Sequence, residues 1–164
     1  MGIFETVLVI ATFLCSLVAG FLFAFAVVVM PGIKNLKDDQ FIRAFQVMDR
    51  VIQNNQPLFM LVWLGSNLAL ISSAALGIGE LAGRDRSLLV VATCIYLIGV
   101  QLPTMTINIP LNNELKAIDI EAMSQRDRQR AREQFERPWN RSNTVRTLCG
   151  SLVAILLLIL LVKQ

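Results

Sequence analysis

Hydrophobic residues in this chain come in long unbroken blocks. No charged residue falls between Thr6 and Met30 (25 residues), between Pro57 and Gly79 (23) or between Ser87 and Asn113 (27). Each block exceeds the roughly 20 residues an α-helix needs to cross a hydrocarbon core about 30 Å thick. A fourth block, Thr147 to Val162, has 16 residues, about 24 Å of helix. To span, it must draw the turn carrying Asn143 and Arg146 into the membrane edge or thin the bilayer locally. The pattern predicts an all-α, polytopic membrane protein: one domain over residues 1–164, with spans at about 4–30, 57–79, 87–110 and 143–162 in an up-down-up-down four-helix bundle. The first block opens on Glu5, lacks a basic leader and is too long for a cleaved signal, so it reads as a retained span.

The periodicity changes between the blocks. From Asp38 to Asn54, Phe41, Ala44, Phe45, Met48 and Ile52 fall on one helical stripe, with Gln46, Arg50 and Gln53 opposite and Asp49 on the border. This predicts an amphipathic helix added to the bundle, capped by Asp38 or Asp39. It lies at the membrane surface or acts as a lid. Pro57 suits the first turn of the second span. Ser124 and Asp127 have capping-box-like spacing before a charged helix that runs to about Glu136. Pro138 is expected to break that helix and start the fourth.

Composition agrees with the blocks. Of 164 residues, 55% are hydrophobic and mean hydropathy is +0.60, well above a soluble domain's apolar share. A formal charge of +3 is too small to argue for nucleic acid. The bases instead orient the chain. Twelve Lys and Arg residues lie in the two long connections, from Lys34 to Arg50 and from Lys116 to Arg146, against Arg84, Arg86 and Lys163 on the other side. Positive residues favour the cytoplasm, which places both termini outside. Cys15, Cys94 and Cys149 lie in separate apolar blocks, as expected of buried, unpaired thiols. Histidine is absent, which removes Ser-His-Asp and Cys-His catalysis and the usual zinc, copper and non-haem iron ligand sets. No metal or cofactor is expected.

Two polar clusters interrupt this picture. An asparagine-rich turn, Ile107 to Asn113, closes the third block, and Gln101, Thr104, Asn108 and Asn112 share a face at helical spacing. Trp139, Asn143, Arg146 and Gly150 share another at the start of the fourth. Each residue has a plainer role, as helix-to-helix glue, a snorkelling arginine or an interfacial tryptophan. Together, and with Gln46 and Asp49 at the same membrane edge, they can line a pocket. An arginine fork among carboxamides would hold a carbonyl, phenolate or carboxylate at the end of an apolar cleft.

In order along the chain, Gly20-Phe21 and Phe25, Val29-Met30-Pro31-Gly32, Phe45-Gln46, Asn54 to Phe59, Asn108-Ile109-Pro110-Leu111-Asn112 and Trp139 with Asn143, Val145, Arg146 and Thr147 resemble the anthrone-oxygenase-like family of small bacterial and fungal membrane proteins. The resemblance implies four transmembrane helices, with a bacterial inner membrane as the expected setting. A few fungal relatives are associated with oxygenation of anthrones to anthraquinones. The chain departs from the pattern where Thr144 stands in place of a histidine and Ser142 in place of a tryptophan.

Three functions follow. The first is binding of a lipophilic small molecule or lipid headgroup by Gln46, Gln101, Thr104, Asn108, Asn112, Trp139, Asn143 and Arg146. The second is cofactor-independent oxygenation of anthrone-like or phenolic substrates, with Arg146, Asn108 and Asp49 as candidate catalytic residues. The third is a structural or accessory subunit whose small residues Gly65, Ser66, Ser72 and Ser73 support helix contacts. The bilayer is the expected partner, and a homo-oligomer is compatible with all three.

Overall fold

A computed structural model describes residues 2–164. Every element among them is helical: α1 (Ile3–Ile33), α2 (Asp38–Gln53), α3 (Pro57–Glu80), α4 (Gly83–Lys116) and α5 (Gln125–Val162). All but α2 are long and apolar enough to cross a membrane. The chain is thus a multi-pass membrane protein, built as a four-helix bundle with one added amphipathic helix.

α1 packs between α3 and α5, and α4 closes the ring by contacting α5 and α3. Leu8, Cys15, Val18, Leu22, Leu70, Leu89, Tyr96, Val100, Val153 and Leu157 form the bundle core. The outer face is also apolar, with Phe13, Leu17, Leu61, Leu64, Leu68, Ile98, Met105, Leu148 and Ile155 exposed. In water such a surface would be a liability, whereas in hydrocarbon it costs nothing. At one end a second cluster joins Met30, Phe41, Ile42, Phe45, Leu115, Ile120, Phe135 and Trp139, and seats α2 across the bundle.

Local chemistry sets the corners. Gln56 accepts the Phe59 N–H at 2.6 Å and Pro57 opens α3, as its fixed φ favours. Asn55 and Gly83 take φ of 56° and 51° at the two ends of α3, a left-handed conformation that asparagine and glycine tolerate. Ser124 caps α5 through the Asp127 N–H, 3.2 Å away.

Four expectations are corrected. α2 is capped by Lys37, whose N–H meets the Gln40 side chain at 3.3 Å, so Asp38 and Asp39 lie in its first turn. The presumed turn from Ile107 to Asn113 is helical. α4 runs on to Lys116, passing Pro103 and Pro110 with π turns at Leu97–Gln101 and Thr104–Asn108, which re-route hydrogen bonds that proline disturbs. Pro138 does not break α5, which continues for 38 residues, about 57 Å. The rings of Phe135 and Trp139 both pack on Phe45, one on each side of the proline, and this contact holds the helix through it. Lastly, only Cys15 of the three free thiols is buried. Cys94 is exposed and Cys149 half-buried, because an apolar block that spans a membrane buries only a minority of its residues in the core.

Candidate functional site

α5 carries the centre of the site. Arg146 is only 5% exposed, so its side chain is enclosed by the bundle and does not extend over the outer surface. Its Nη1 donates to Thr104 Oγ1 at 3.0 Å and its Nη2 to Asn143 Oδ1 at 2.8 Å. The guanidinium carbon sits 5.7 Å from the centre of the Trp139 ring. Its Nε has no partner, and no ion pair joins Arg146 to any acid among the described residues. A buried cation bonded only to neutral oxygens is costly, and the cost falls if an opposite charge is supplied.

The amides around it are oriented by their neighbours. Asn143 Nδ2 donates to the Leu22 carbonyl of α1 at 3.1 Å, which turns its oxygen to Arg146. Asn108 Oδ1 accepts from Ser142 Oγ at 2.6 Å, and its Nδ2 makes a long contact of 3.5 Å with the Trp139 carbonyl. Trp139 Nε1 donates to Asn112 Oδ1 at 2.8 Å, and Asn112 Nδ2 donates to Asp49 Oδ1 at 2.8 Å. Gln53 donates to the other oxygen of Asp49 and accepts from Lys116. Burial raises the Asp49 carboxyl above its ordinary value, and the bonds from Gln53 and Asn112, with the charge of Lys116, partly offset that rise.

These groups line one end of a cavity of about 230 Å³. Arg146, Asn143, Thr104, Asn108, Asn112, Asp49 and Trp139 supply its polar part. Phe21, Phe25, Phe45, Phe59, Met60 and Trp63 supply most of its apolar wall. The volume falls below the roughly 300–1,000 Å³ of drug-sized ligand pockets.

The predicted residues are thus sorted by the fold. Thr104, Asn108, Asn112, Trp139, Asn143, Arg146 and Asp49 come together. Gln46 and Gln101 do not line this cavity. Gln46 donates to the carbonyls of Leu115 and Ile118 at 2.8 and 3.1 Å and clips α2 to the end of α4. Gln101 is buried beside Tyr96, whose hydroxyl bonds Ser66 at 2.7 Å. Gly150 packs on Ala19 of α1. Thr144 is exposed, bonded to the Asn140 carbonyl at 2.9 Å, and lines a separate groove with Lys34 and Glu136. A histidine there would face away from Arg146. The aromatic wall went unread as a site because aromatic residues inside a span look like ordinary core. The i, i+4 pair Phe59 and Trp63, with ring centres 5.5 Å apart and nearly parallel, was its best available signal.

The fold and site define a small polytopic membrane protein with an amphiphilic cavity walled in part by the amphipathic helix α2. A family model described as anthrone oxygenase matches residues 48–156, and the chain belongs to that family. The matched segment holds every polar residue of the cavity from Asp49 to Arg146 and omits the wall from α1 and Phe45 of α2. No curated protein and no solved structure matches the chain.

Proposed function

We propose that this protein binds a flat, lipophilic, weakly acidic aromatic molecule, a phenol or aryl ketone, with its oxygen toward Arg146. The observation that carries this reading is the buried guanidinium: it lacks an opposite charge, keeps one nitrogen unpartnered and lines a cavity of mostly aromatic walls. A phenolate or enolate would supply the charge, with Asn143 and Asn108 beside it, and the rings would lie against Phe25, Phe59 and Trp139. The cavity lies at the α2 end, which the distribution of Lys and Arg assigns to the cytoplasmic side. Native mass spectra of protein released in mild detergent test this. We expect a discrete small-molecule adduct on the wild type that is lost in Arg146→Ala. An adduct retained equally by both would contradict the assignment.

A second reading, oxygenation of the bound molecule, is favoured by one further observation. Asp49, with its carboxyl raised by burial, lines the same cavity as Arg146. Its carboxylate can take a proton from the methylene of an aryl ketone while the enolate oxygen's charge falls to Arg146. Dioxygen then adds at that carbon to give a hydroperoxide. Loss of water leaves a second carbonyl, so the methylene and one dioxygen become a carbonyl and one water. Oxygen uptake with anthrone in reconstituted protein checks it. The wild type should exceed the spontaneous rate and Asp49→Asn should return to it. A folded wild type no faster than buffer would remove this reading and leave binding intact.

A further inference from the structure

The ligand's route into the cavity can also be read from the walls. At the α2 end the way is closed by directed bonds. Phe45, Asp49 and Ile52 of α2 lie over the cavity. α2 is held there by Gln46 to the carbonyls of Leu115 and Ile118, by Asn112 to Asp49, and by the Arg43–Glu121 ion pair. Toward the bilayer there is no such latch among the described residues. A second recess of about 250 Å³ lies between α1 and α3, lined by Leu17, Val18, Phe21, Leu58, Phe59, Val62 and Trp63. Every one of these side chains is apolar or aromatic. Phe21, Phe59 and Trp63 line both spaces, so the recess and the cavity are separated by three rings.

These rings meet only through their faces and edges, Phe21 to Phe59 at 5.3 Å and Phe59 to Trp63 at 5.5 Å. Side-chain rotation can open such contacts without breaking a hydrogen bond, on a timescale far shorter than that of helix movement. Leu17 and Leu58 at the outer rim are 43% and 69% exposed on the lipid-facing surface. A lipophilic aromatic molecule is already concentrated in the bilayer, and its rings can pass over other rings with little loss of contact.

We propose that the recess between α1 and α3 is a bilayer-side docking site and port for the same aromatic ligand, with Phe59 and Trp63 as its gate. The proposal rests on the binding reading above and adds the source of the ligand, which is the membrane and not the aqueous phase. The ligand docks flat between Leu17, Leu58 and Val62, then passes the two rings to set its oxygen near Arg146.

The test separates equilibrium from rate. Protein in lipid nanodiscs is mixed with 1,8-dihydroxyanthraquinone, and quenching of Trp63 and Trp139, both cavity residues, is followed by stopped flow. The double variant Leu17→Phe with Leu58→Phe fills the rim at two exposed positions and leaves the cavity unchanged. We expect association and dissociation each to slow about tenfold or more, with the dissociation constant changed less than threefold. Gln46→Ala, which loosens α2, should leave both rates within twofold of wild type. Unchanged rates in the double variant, or faster rates in Gln46→Ala alone, would overturn the port in favour of access past α2. A wild type that shows no saturable quenching would instead overturn the binding reading, and the port with it.

Discussion

Trp139 and Asn112 are joined by a single hydrogen bond of 2.8 Å, from the indole Nε1 to the amide Oδ1, and this bond decides the orientation of the amide. An indole only donates, so Asn112 must present its oxygen to Trp139 and its nitrogen to Asp49. The donor on α5 thereby sets the environment of a carboxyl on α2, through a residue on α4. Trp139→Phe keeps the ring contacts with Phe25, Phe45 and Phe135 and removes the donor. We expect it to cost about 1 kcal/mol of stability, the scale of one hydrogen bond, read as a lower Tm in detergent. A loss of several kcal/mol would mean that ring volume dominates.

Asp49 makes stability depend on pH in a definite direction. Its folded pKa is raised by burial, so its neutral form favours the folded state. That contribution is complete below the ordinary carboxylate value of about 4 and is lost as pH rises through the raised folded value. Relative to Asp49→Asn, the wild type should therefore lose Tm across that window and show a constant difference above it. A wild type gaining Tm over the variant as pH rises would show that the bonds from Gln53 and Asn112 outweigh burial.

Gly99 of α4 packs tightly against Cys149 of α5. A Cβ placed there would lie 2.6 Å from Cys149 Sγ and 2.9 Å from Cys149 Cβ. Rotating the thiol relieves only the first contact. Gly99→Ala should cost about 1–3 kcal/mol, the usual range for overpacking, and adding Cys149→Gly should restore part of it. Thermal unfolding of the two variants reads this directly, and additive losses would contradict the contact.

The bundle was legible in the sequence because each block without charge outlasts a bilayer crossing, and α2 because Phe41, Phe45 and Ile52 keep helical spacing. Pro138 misled because proline's local penalty was weighed without the tertiary contacts. Phe135 and Trp139 on Phe45 hold α5 straight enough to continue. Length arithmetic puts Arg146 near the hydrocarbon boundary and says nothing of which way its side chain turns. In the fold, 21 residues of α5 precede Arg146, and the guanidinium turns inward. Helical spacing alone grouped Gln101 with Thr104, Asn108 and Asn112. Two π turns lie in that stretch, and regular spacing cannot foresee them. Trp63 shows in the sequence only as the i+4 partner of Phe59, and its place in a wall depends on Phe21, which meets Phe59 only when α1 packs on α3.

Asn108 separates glue from ligand site. Its bonds go to Ser142 and the Trp139 carbonyl, both on α5, so Asn108→Leu should cost about 1–2 kcal/mol by leaving buried groups unpaired. If it also lines the ligand, probe affinity measured on protein held well below its Tm should fall as well. A stability loss with unaltered affinity would make Asn108 an interhelical tie alone.

The most direct test of the account is the behaviour of Arg146→Met, which keeps the side-chain volume roughly and removes the charge. The Arg146 guanidinium is buried without an opposite charge, and replacing buried charge by apolar volume is often neutral or stabilising. The ligand-free variant should therefore unfold within about 1 kcal/mol of wild type or above it. Titrated with 1,8-dihydroxyanthraquinone and read by tryptophan quenching, it should bind at least about tenfold more weakly, the scale of one charge-assisted hydrogen bond. A variant that unfolds several kcal/mol earlier yet binds the probe as tightly as wild type would show that Arg146 serves the bundle and not a ligand.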